Sequence, residues 1–368
     1  MVGKKIITMI DDTFFIADAI TPTLQEGVFS WSAPSNIALI KYWGKKEHQI
    51  PANPSLSFTL KNCKTITSLR YKRKEEQGID FDLLFEGQPK ASFRPKIQKF
   101  FERILPYCSY ISDYHFTIDT TNTFPHSSGI ASSASGMAAL AVNLMSLERA
   151  LFPEMTEAYF NQKASFLARL GSGSACRSIS GSVVVWGANE TFSEASDLFG
   201  VPFSGEVHEV FQDYQDVILL VDKGEKQVSS TVGHDLMHNH PFAAQRFEQA
   251  HTNLKALTAI LQSGDLEKFV ALVESEALTL HAMMMTSMPY FILMKPNTLE
   301  IIERIWQFRK EQGVPVCFTL DAGANVHLLF PKAYKEVVME WIARDLAMYC
   351  QQEHYIADEI GKGAEKLS

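Results

Sequence analysis

From Ser55 to Arg73 the chain reads SLSFTLKNCKTITSLRYKR, in which apolar and polar positions alternate around β-branched Thr and Ile. That period of two predicts a strand. YHFTIDTTNTF, residues 114–124, alternates in the same way. It runs straight into NTFPHSSGIASSASGMAAL, where Ser, Gly and Ala crowd together before SASGMAALAVNLMSLERALF sets in. The latter carries strong helix formers and apolar positions on most faces, which predicts a buried helix. SISGSVVVWG and DVILLVDKG predict two more strands. Helical periodicity then occupies 242–262, 266–284 and 297–311. It is followed by the strand VPVCFTLDAGANVHLLF, broken by a tight turn at Asp321–Asn325, and by a helix beginning near Tyr334. Strands and helices mix without the regular alternation of a doubly wound sheet, so the predicted class is α+β. The polar, Gly- and Pro-containing stretch 188–213 marks a boundary, dividing the chain into domains 1–205 and 206–368.

Composition changes this picture little. The 368 residues suffice for two domains, and 46% hydrophobic with 21% charged content describes a soluble globular chain. A net charge of −8 argues against a general nucleic-acid binder, whose footprint is basic. Five scattered cysteines without a CxxC pair point to reduced thiols rather than a disulfide framework or zinc site. Lys4 and Lys5 precede the apolar IITMI, but Asp11 and Asp12 cut the run too short for a secretory signal. No window reaches the length of a membrane span. The expectation is a cytoplasmic protein.

Five stretches carry candidate chemistry. The Ser/Gly loop between strand and helix offers free amides, a helix dipole and hydroxyls from Ser127, Ser128, Ser132, Ser133 and Ser135. That combination suits phosphate but lacks the lysine of the familiar phosphate loop, and close helix packing would equally explain the small residues. The run Ile37–Ile40 delivers Lys41 beside Tyr42 and Trp43, with Lys45 and Lys46 after Gly44. A lysine ending a buried strand needs an anion unless its stem snorkels to solvent. In ARLGSGSACRSISG, Arg177 rises from small neighbours, placed either to fork onto a carboxylate or phosphate or to bond loop carbonyls. In FTLDAGANVH, Asp321 follows an apolar strand, as a rigid base for a hydroxyl or as an Asx-turn residue. EKQVSSTVGHDLM sets Ser229, Ser230 and Thr231 before a helix, as caps or phosphate contacts.

Taken in order, SNIALIKYWGK, IPANPSLSFTL, FPHSSGIASSASG, ARLGSGSACRS, VSSTVG and FTLDAGAN resemble the mevalonate diphosphate decarboxylases of the GHMP kinase superfamily, from Ser35 to Asn325. The resemblance implies a GHMP kinase fold, with a ribosomal-protein-S5-like N-terminal half, a ferredoxin-like C-terminal half and the active site in the cleft between them. It implies ATP- and Mg²⁺-dependent conversion of mevalonate 5-diphosphate to isopentenyl diphosphate, with release of ADP, phosphate and CO₂. By position, Asp321, Lys41 and Arg177 are the implied catalytic residues. Asp321 orients or deprotonates the C3 hydroxyl, and Arg177 holds the substrate carboxylate. Tyr42, Lys45, Asn53, Ser55, Ser229 and Ser230 are the implied substrate contacts. Ser128, Gly129, Ala131, Ser132, Ser133, Ser135 and Gly136 are the implied ATP contacts, while the Mg²⁺ ligands stay unassigned. A homodimer is implied, with no nucleic-acid or membrane partner. His126-Ser127-Ser128 stands where the family commonly has Thr-Ala-Ala, and DAGAN where DAGPN is usual. A phosphomevalonate decarboxylase, a mevalonate 3-kinase and, in another class, a non-catalytic ligand-binding relative are the alternatives.

Overall fold

The computed structural model describes residues 11–17, 22–125, 130–224 and 230–368. Its first sheet contains β1 (Glu26–Ile40), β2 (Ser55–Arg73), β3 (Asp80–Phe85), β4 (Gln88–Pro89), β5 (Tyr114–Asn122), β6 (Val183–Trp186) and β7 (Val201–Pro202). The second sheet, ordered β11-β8-β10-β9, is built from β8 (Gln215–Leu219), β9 (Cys317–Thr319), β10 (Val326–Phe330) and β11 (Tyr355–Glu359). A last strand, β12 (Glu365–Lys366), returns to the first sheet and pairs with β1 through Trp31 and Ser32. All pairs are antiparallel except β3 with β5.

The helices are α1 (Arg94–Ile104), α2 (Ser132–Leu151), α3 (Glu157–Gly171), α4 (Ser230–Asp235), α5 (Ala243–Ser263), α6 (Leu266–Met285), α7 (Pro296–Gln312) and α8 (Lys335–Trp341). α2 is the central helix of the first core. From Met137 to Glu148 every residue is buried, as a helix apolar on most faces requires. The α+β class expected from the sequence is the class observed. SISGSVVVWG is extended only at Val183–Trp186: Ser178 still closes the 3₁₀ turn Gly173–Ser178 that carries Arg177, Ile179 keeps helical backbone angles, and Gly181 turns the chain at φ 89.

β2 joins the two halves. At about 3.3 Å per residue its 19 residues span roughly 60 Å, long enough to serve two neighbourhoods. Ser55–Leu60 are all buried, with Leu56, Phe58 and Leu60 in one core with Phe211, Leu254 and Phe269. Beyond that the strand resumes alternate burial and pairs with β5. The change occurs at a bulge, where the register against β1 shifts between Pro34↔Lys64 and Asn36↔Thr59. Asp358 of β11 accepts the amides freed there: Lys61 N at 3.0 Å and Asn62 N at 2.8 Å on Oδ1, and Cys63 N at 2.7 Å on Oδ2. A carboxylate can take three amides at once because its two oxygens offer about four lone pairs.

Candidate active site

β1 ends at Ile40, and the next residue, Lys41, is 1% exposed. Its backbone is clamped from the other half of the chain. Glu276 Oε2 on α6 accepts Lys41 N–H at 2.9 Å, and Arg246 Nη2 on α5 donates to the Lys41 carbonyl at 3.1 Å. Glu276 and Arg246 are themselves a buried ion pair at 2.6 Å, and Asn253 Nδ2 donates to Glu276 Oε1 at 2.6 Å. Asn53 Nδ2 completes the brace, donating to the Lys41 carbonyl at 3.0 Å and to the Pro54 carbonyl at 2.7 Å. Both backbone polar groups of Lys41 are therefore met by fixed side chains, which settles where its ammonium can reach.

The ammonium meets Asp321 Oδ1 at 3.2 Å, so the buried lysine has its anion. Asp321 follows Leu320, which is fully buried at the end of β9, and keeps its side chain 30% exposed. Three groups fasten the turn after it. His281 Nε2 donates to the Asp321 carbonyl at 3.1 Å, Thr298 Oγ1 to the Ala324 carbonyl at 2.7 Å, and Asn325 pairs with the backbone of Asp222. Burial pulls the Lys41 pKa below its ordinary value, while Asp321 and then Glu276 push it back up and Arg177 lowers it further.

Arg177 is 3% exposed. Its Nη1 donates to Ser55 Oγ, and its Nη2 and Nε donate to Asn36 Oδ1 at 3.3 and 3.4 Å. Asn36 is held in turn by the Ser174 carbonyl and Ser178 Oγ. The guanidinium thus bonds aimed side chains rather than loop carbonyls, and its field reaches both Lys41 and Asp321. Tyr42 lies edge-on to Trp186 at 4.7 Å, with its Oη buried and unpartnered. Lys45 approaches Asp235 at 3.6 Å.

Other candidate residues have partners within the protein or lie outside the described residues. Asn53 spends its amide on bracing Lys41, and Ser55 orients Arg177. Ser128, Gly129 and Ser229 lie outside the described residues, as does His126-Ser127-Ser128; Ser230 opens α4. Ala131 sits in the left-handed region at φ 40, a conformation costing about 1–3 kcal/mol for a residue with a Cβ, and turns the chain into α2. Ser135 is fully buried and bonded to Thr65 Oγ1 at 2.6 Å, so it faces the core. Gly136 belongs to the helix rather than to the loop.

A groove of about 260 Å³ opens at the start of α2, lined among others by Thr65, Phe93, Lys96, Thr120, Ser133 and Gly136. A Cβ on Gly136 would meet nothing within 4 Å, so the glycine leaves that wall open. Lys96 of α1 donates to Ser133 Oγ and brings in the cation that the Ser/Gly loop lacks. Free amides of a helix start, hydroxyls and an ammonium beside an apolar cleft fit a nucleotide polyphosphate. Among the described residues there is no group of three His, Cys, Asp or Glu able to hold a metal ion.

The sequence reading missed Glu276, Arg246, Asn253, Asn36 and Lys96. Glu276 left a signal: with Glu274 it is one of two carboxylates within the otherwise apolar helix segment LVESEALTLHAMMM. A buried acid of that kind requires a partner.

The site also predicts a pH response. Burial first, then nearby cations, lowers His234 to about 3, and burial lowers His281 to about 4. Both are neutral in the folded protein, whereas a histidine in the unfolded chain binds its proton near pH 6.5. Between those values the unfolded chain holds more protons, so stability falls as pH drops from about 6.5 toward 4. Urea midpoints measured across that range should decline, and less steeply in His281→Gln. An identical slope in the variant removes His281 from this account.

The profile of a family described as the diphosphomevalonate decarboxylase-like N-terminal domain matches residues 33–197, and that of the mevalonate 5-diphosphate decarboxylase C-terminal domain matches 216–366. A diphosphomevalonate decarboxylase of Ganoderma lucidum is 28% identical over 349 residues, covering 90% of this chain and 84% of the relative. The crystal structure of mevalonate diphosphate decarboxylase from Staphylococcus aureus superposes with a TM-score of 0.80 at 28% identity, covering 94% of this chain and 99% of that one. A solved complex with MVAPP, AMPPCP and magnesium superposes with a TM-score of 0.78 at 26% identity, covering 93% and 100%. No described helix is long and apolar enough to cross a membrane.

Proposed function

This chain belongs to the mevalonate diphosphate decarboxylase family, with its GHMP kinase fold, and we propose that the Lys41–Asp321–Arg177 cluster carries out that family's reaction. The reaction is the ATP- and Mg²⁺-dependent decarboxylation of mevalonate 5-diphosphate to isopentenyl diphosphate, releasing ADP, phosphate and CO₂. The observation that carries the assignment of residues is the ion pair joining Lys41, at the end of β1, to Asp321, 280 positions later.

A tertiary hydroxyl is a poor leaving group, and ATP supplies the phosphoryl group that makes it a good one. Asp321 accepts the hydrogen bond, and then the proton, of the C3 hydroxyl, with the Lys41 ammonium holding the carboxylate in position. Arg177 receives the substrate carboxylate and never transfers a proton to it, because a guanidinium stays charged. Once phosphate leaves C3, the bond to the carboxylate breaks, its electrons form the new double bond, and CO₂ departs. Tyr42, Lys45 and the VSST segment serve the phosphorylated tail. Ser132, Ser133, Lys96 and the open wall at Gly136 serve the nucleotide. Mg²⁺, when bound, would neutralise phosphate charge there, with the Ser132 and Ser133 hydroxyls available to help hold it.

We place the boundary of the domains near 205/206, with β12 completing the sheet of the first. The working form is a cytoplasmic homodimer; five buried, unbridged cysteines support a reducing compartment.

The deciding experiment is ATP-dependent CO₂ release from mevalonate, its 5-phosphate and its 5-diphosphate. CO₂, ADP and phosphate from the 5-diphosphate are expected. ADP without CO₂ indicates a 3-kinase, and preference for the 5-phosphate indicates a phosphomevalonate decarboxylase. In the same assay Lys96→Ala should raise KM for ATP about tenfold, the loss of one charge-assisted contact, and leave KM for the substrate unchanged. An unchanged KM for ATP removes Lys96 from the nucleotide site.

A further inference from the structure

His234 belongs to none of the groups assigned above. It lies in α4 and is only 8% exposed, and the residue before it explains how it is seated. A Cβ on Gly233 would come within 2.5 Å of the Trp43 ring, so α4 packs on the 42–45 segment with no side chain between them. That contact lays the imidazole against Tyr42 at 4.2 Å and Trp43 at 4.7 Å between ring centres. Gly44, at φ +97, turns its amide toward the ring and donates to His234 Nδ1 at 3.0 Å. A backbone with a Cβ adopts that φ only at a cost.

The bond decides the tautomer. Nδ1 uses its lone pair as acceptor, so the proton of the neutral ring sits on Nε2. Burial, Lys45 and Arg177, in that order, keep a second proton off. No group among the described residues accepts the Nε2–H. On the adjacent ring the Tyr42 Oη is also buried and unpartnered. The His234 Nε2–H and the Tyr42 hydroxyl, on adjacent tilted rings, with the cations Lys45 and Arg177 acting on the same space and Asp235 mostly exposed at its edge, suit a ligand rich in acceptors. The proposed function gives Arg177 to the substrate carboxylate, which leaves a phosphoryl group for this space.

We propose that His234 is a substrate-binding residue whose Nε2–H, together with Tyr42 Oη and Lys45, holds the phosphoryl tail of the substrate. The proposal rests on the decarboxylase reading for the identity of that substrate. Because the donor carries no charge of its own, it adds direction without adding a titration near neutral pH.

Two variants separate this role from packing. His234→Asn retains an oxygen for the Gly44 amide and loses the far donor. His234→Gln carries an amide N–H to the position of Nε2. The asparagine variant should raise KM for mevalonate 5-diphosphate about tenfold, the loss of one hydrogen bond to a charged group. Its kcat and its KM for ATP should stay within about twofold, and the glutamine variant should recover most of the loss. Calorimetric titration of mevalonate 5-diphosphate without ATP reads the same difference independently of turnover. Binding by wild type that weakens in His234→Asn upholds the assignment even if no CO₂ forms, in which case only the reaction is wrong. Equal binding by wild type and His234→Asn, equal loss in both variants, or no binding by wild type overturns it.

Discussion

Asp321→Asn should lower turnover by about 10²–10⁴-fold, the range for removing a positioned general base, while ATP still binds. The replacement is nearly isosteric and keeps an oxygen for the Lys41 ammonium at the 3.2 Å contact. It removes the negative charge that can take a proton from the hydroxyl. Loss of that charge also removes the largest influence raising the Lys41 pKa against its burial. Lys41 should then titrate lower in the variant than in wild type, and the residual rate should shift its pH dependence accordingly. The turn itself is fastened through the Asp321 backbone by His281 and through Thr298 and Asn325, so the fold should survive. Near-UV circular dichroism and ATP titration check that condition. Turnover within tenfold of wild type would sink the role assigned to Asp321.

The second large effect is remote from the reacting atoms. Glu276→Ala should destabilise the protein by about 3–5 kcal/mol, because it leaves the fully buried Arg246 guanidinium without its carboxylate. That is a large fraction of the 5–15 kcal/mol by which domains are usually stable. It also removes the acceptor for Lys41 N–H. A double substitution, Glu276→Met with Arg246→Met, separates the two consequences. Both charges are gone, so most of the stability should return, as it does when buried ion pairs give way to packed apolar groups. Turnover should not return, because the Lys41 backbone has lost its acceptor and one of its donors and the ammonium no longer has a single position. Denaturant unfolding and steady-state turnover on the three proteins give both readings. Recovery of turnover together with stability would reduce the clamp to a packing element.

Much of this architecture was legible along the chain. β2 begins at Ser55 and ends at Arg73, where the alternating pattern begins and ends. The long helices of the second half deviate by a residue or so at their ends from the periodic segments. Strong local periodicity makes such elements readable, since each residue's neighbours on the same face share its burial. The short strands β11 and β12 and the amphipathic α1 were not read. Two to five residues carry too little period, and β12 exists only because β1 presents an edge to it.

The site divides along the same line. Lys41 after an apolar run announced a need for a nearby anion, and the turn after β9 announced a held acid; chemistry of burial is local enough to show that much. Which anion answers which lysine is not local. Asp321 reaches Lys41 across 280 positions, Glu276 across 235, and Arg177 meets Asn36 across 141. The internal bonds of Asn53 and Ser55 were hidden for the same cause: a short polar side chain suits a ligand, a backbone carbonyl or a guanidinium equally well, and only its packed neighbours show which protein groups it meets. The amino-acid sequence by itself determined the class of fold, the places where strands and helices run, and the residue types available for anion chemistry. Tertiary structure alone decided the pairings that turn those residues into a site, because ion pairs and hydrogen bonds depend on distance in space, and packing of the two halves sets that distance.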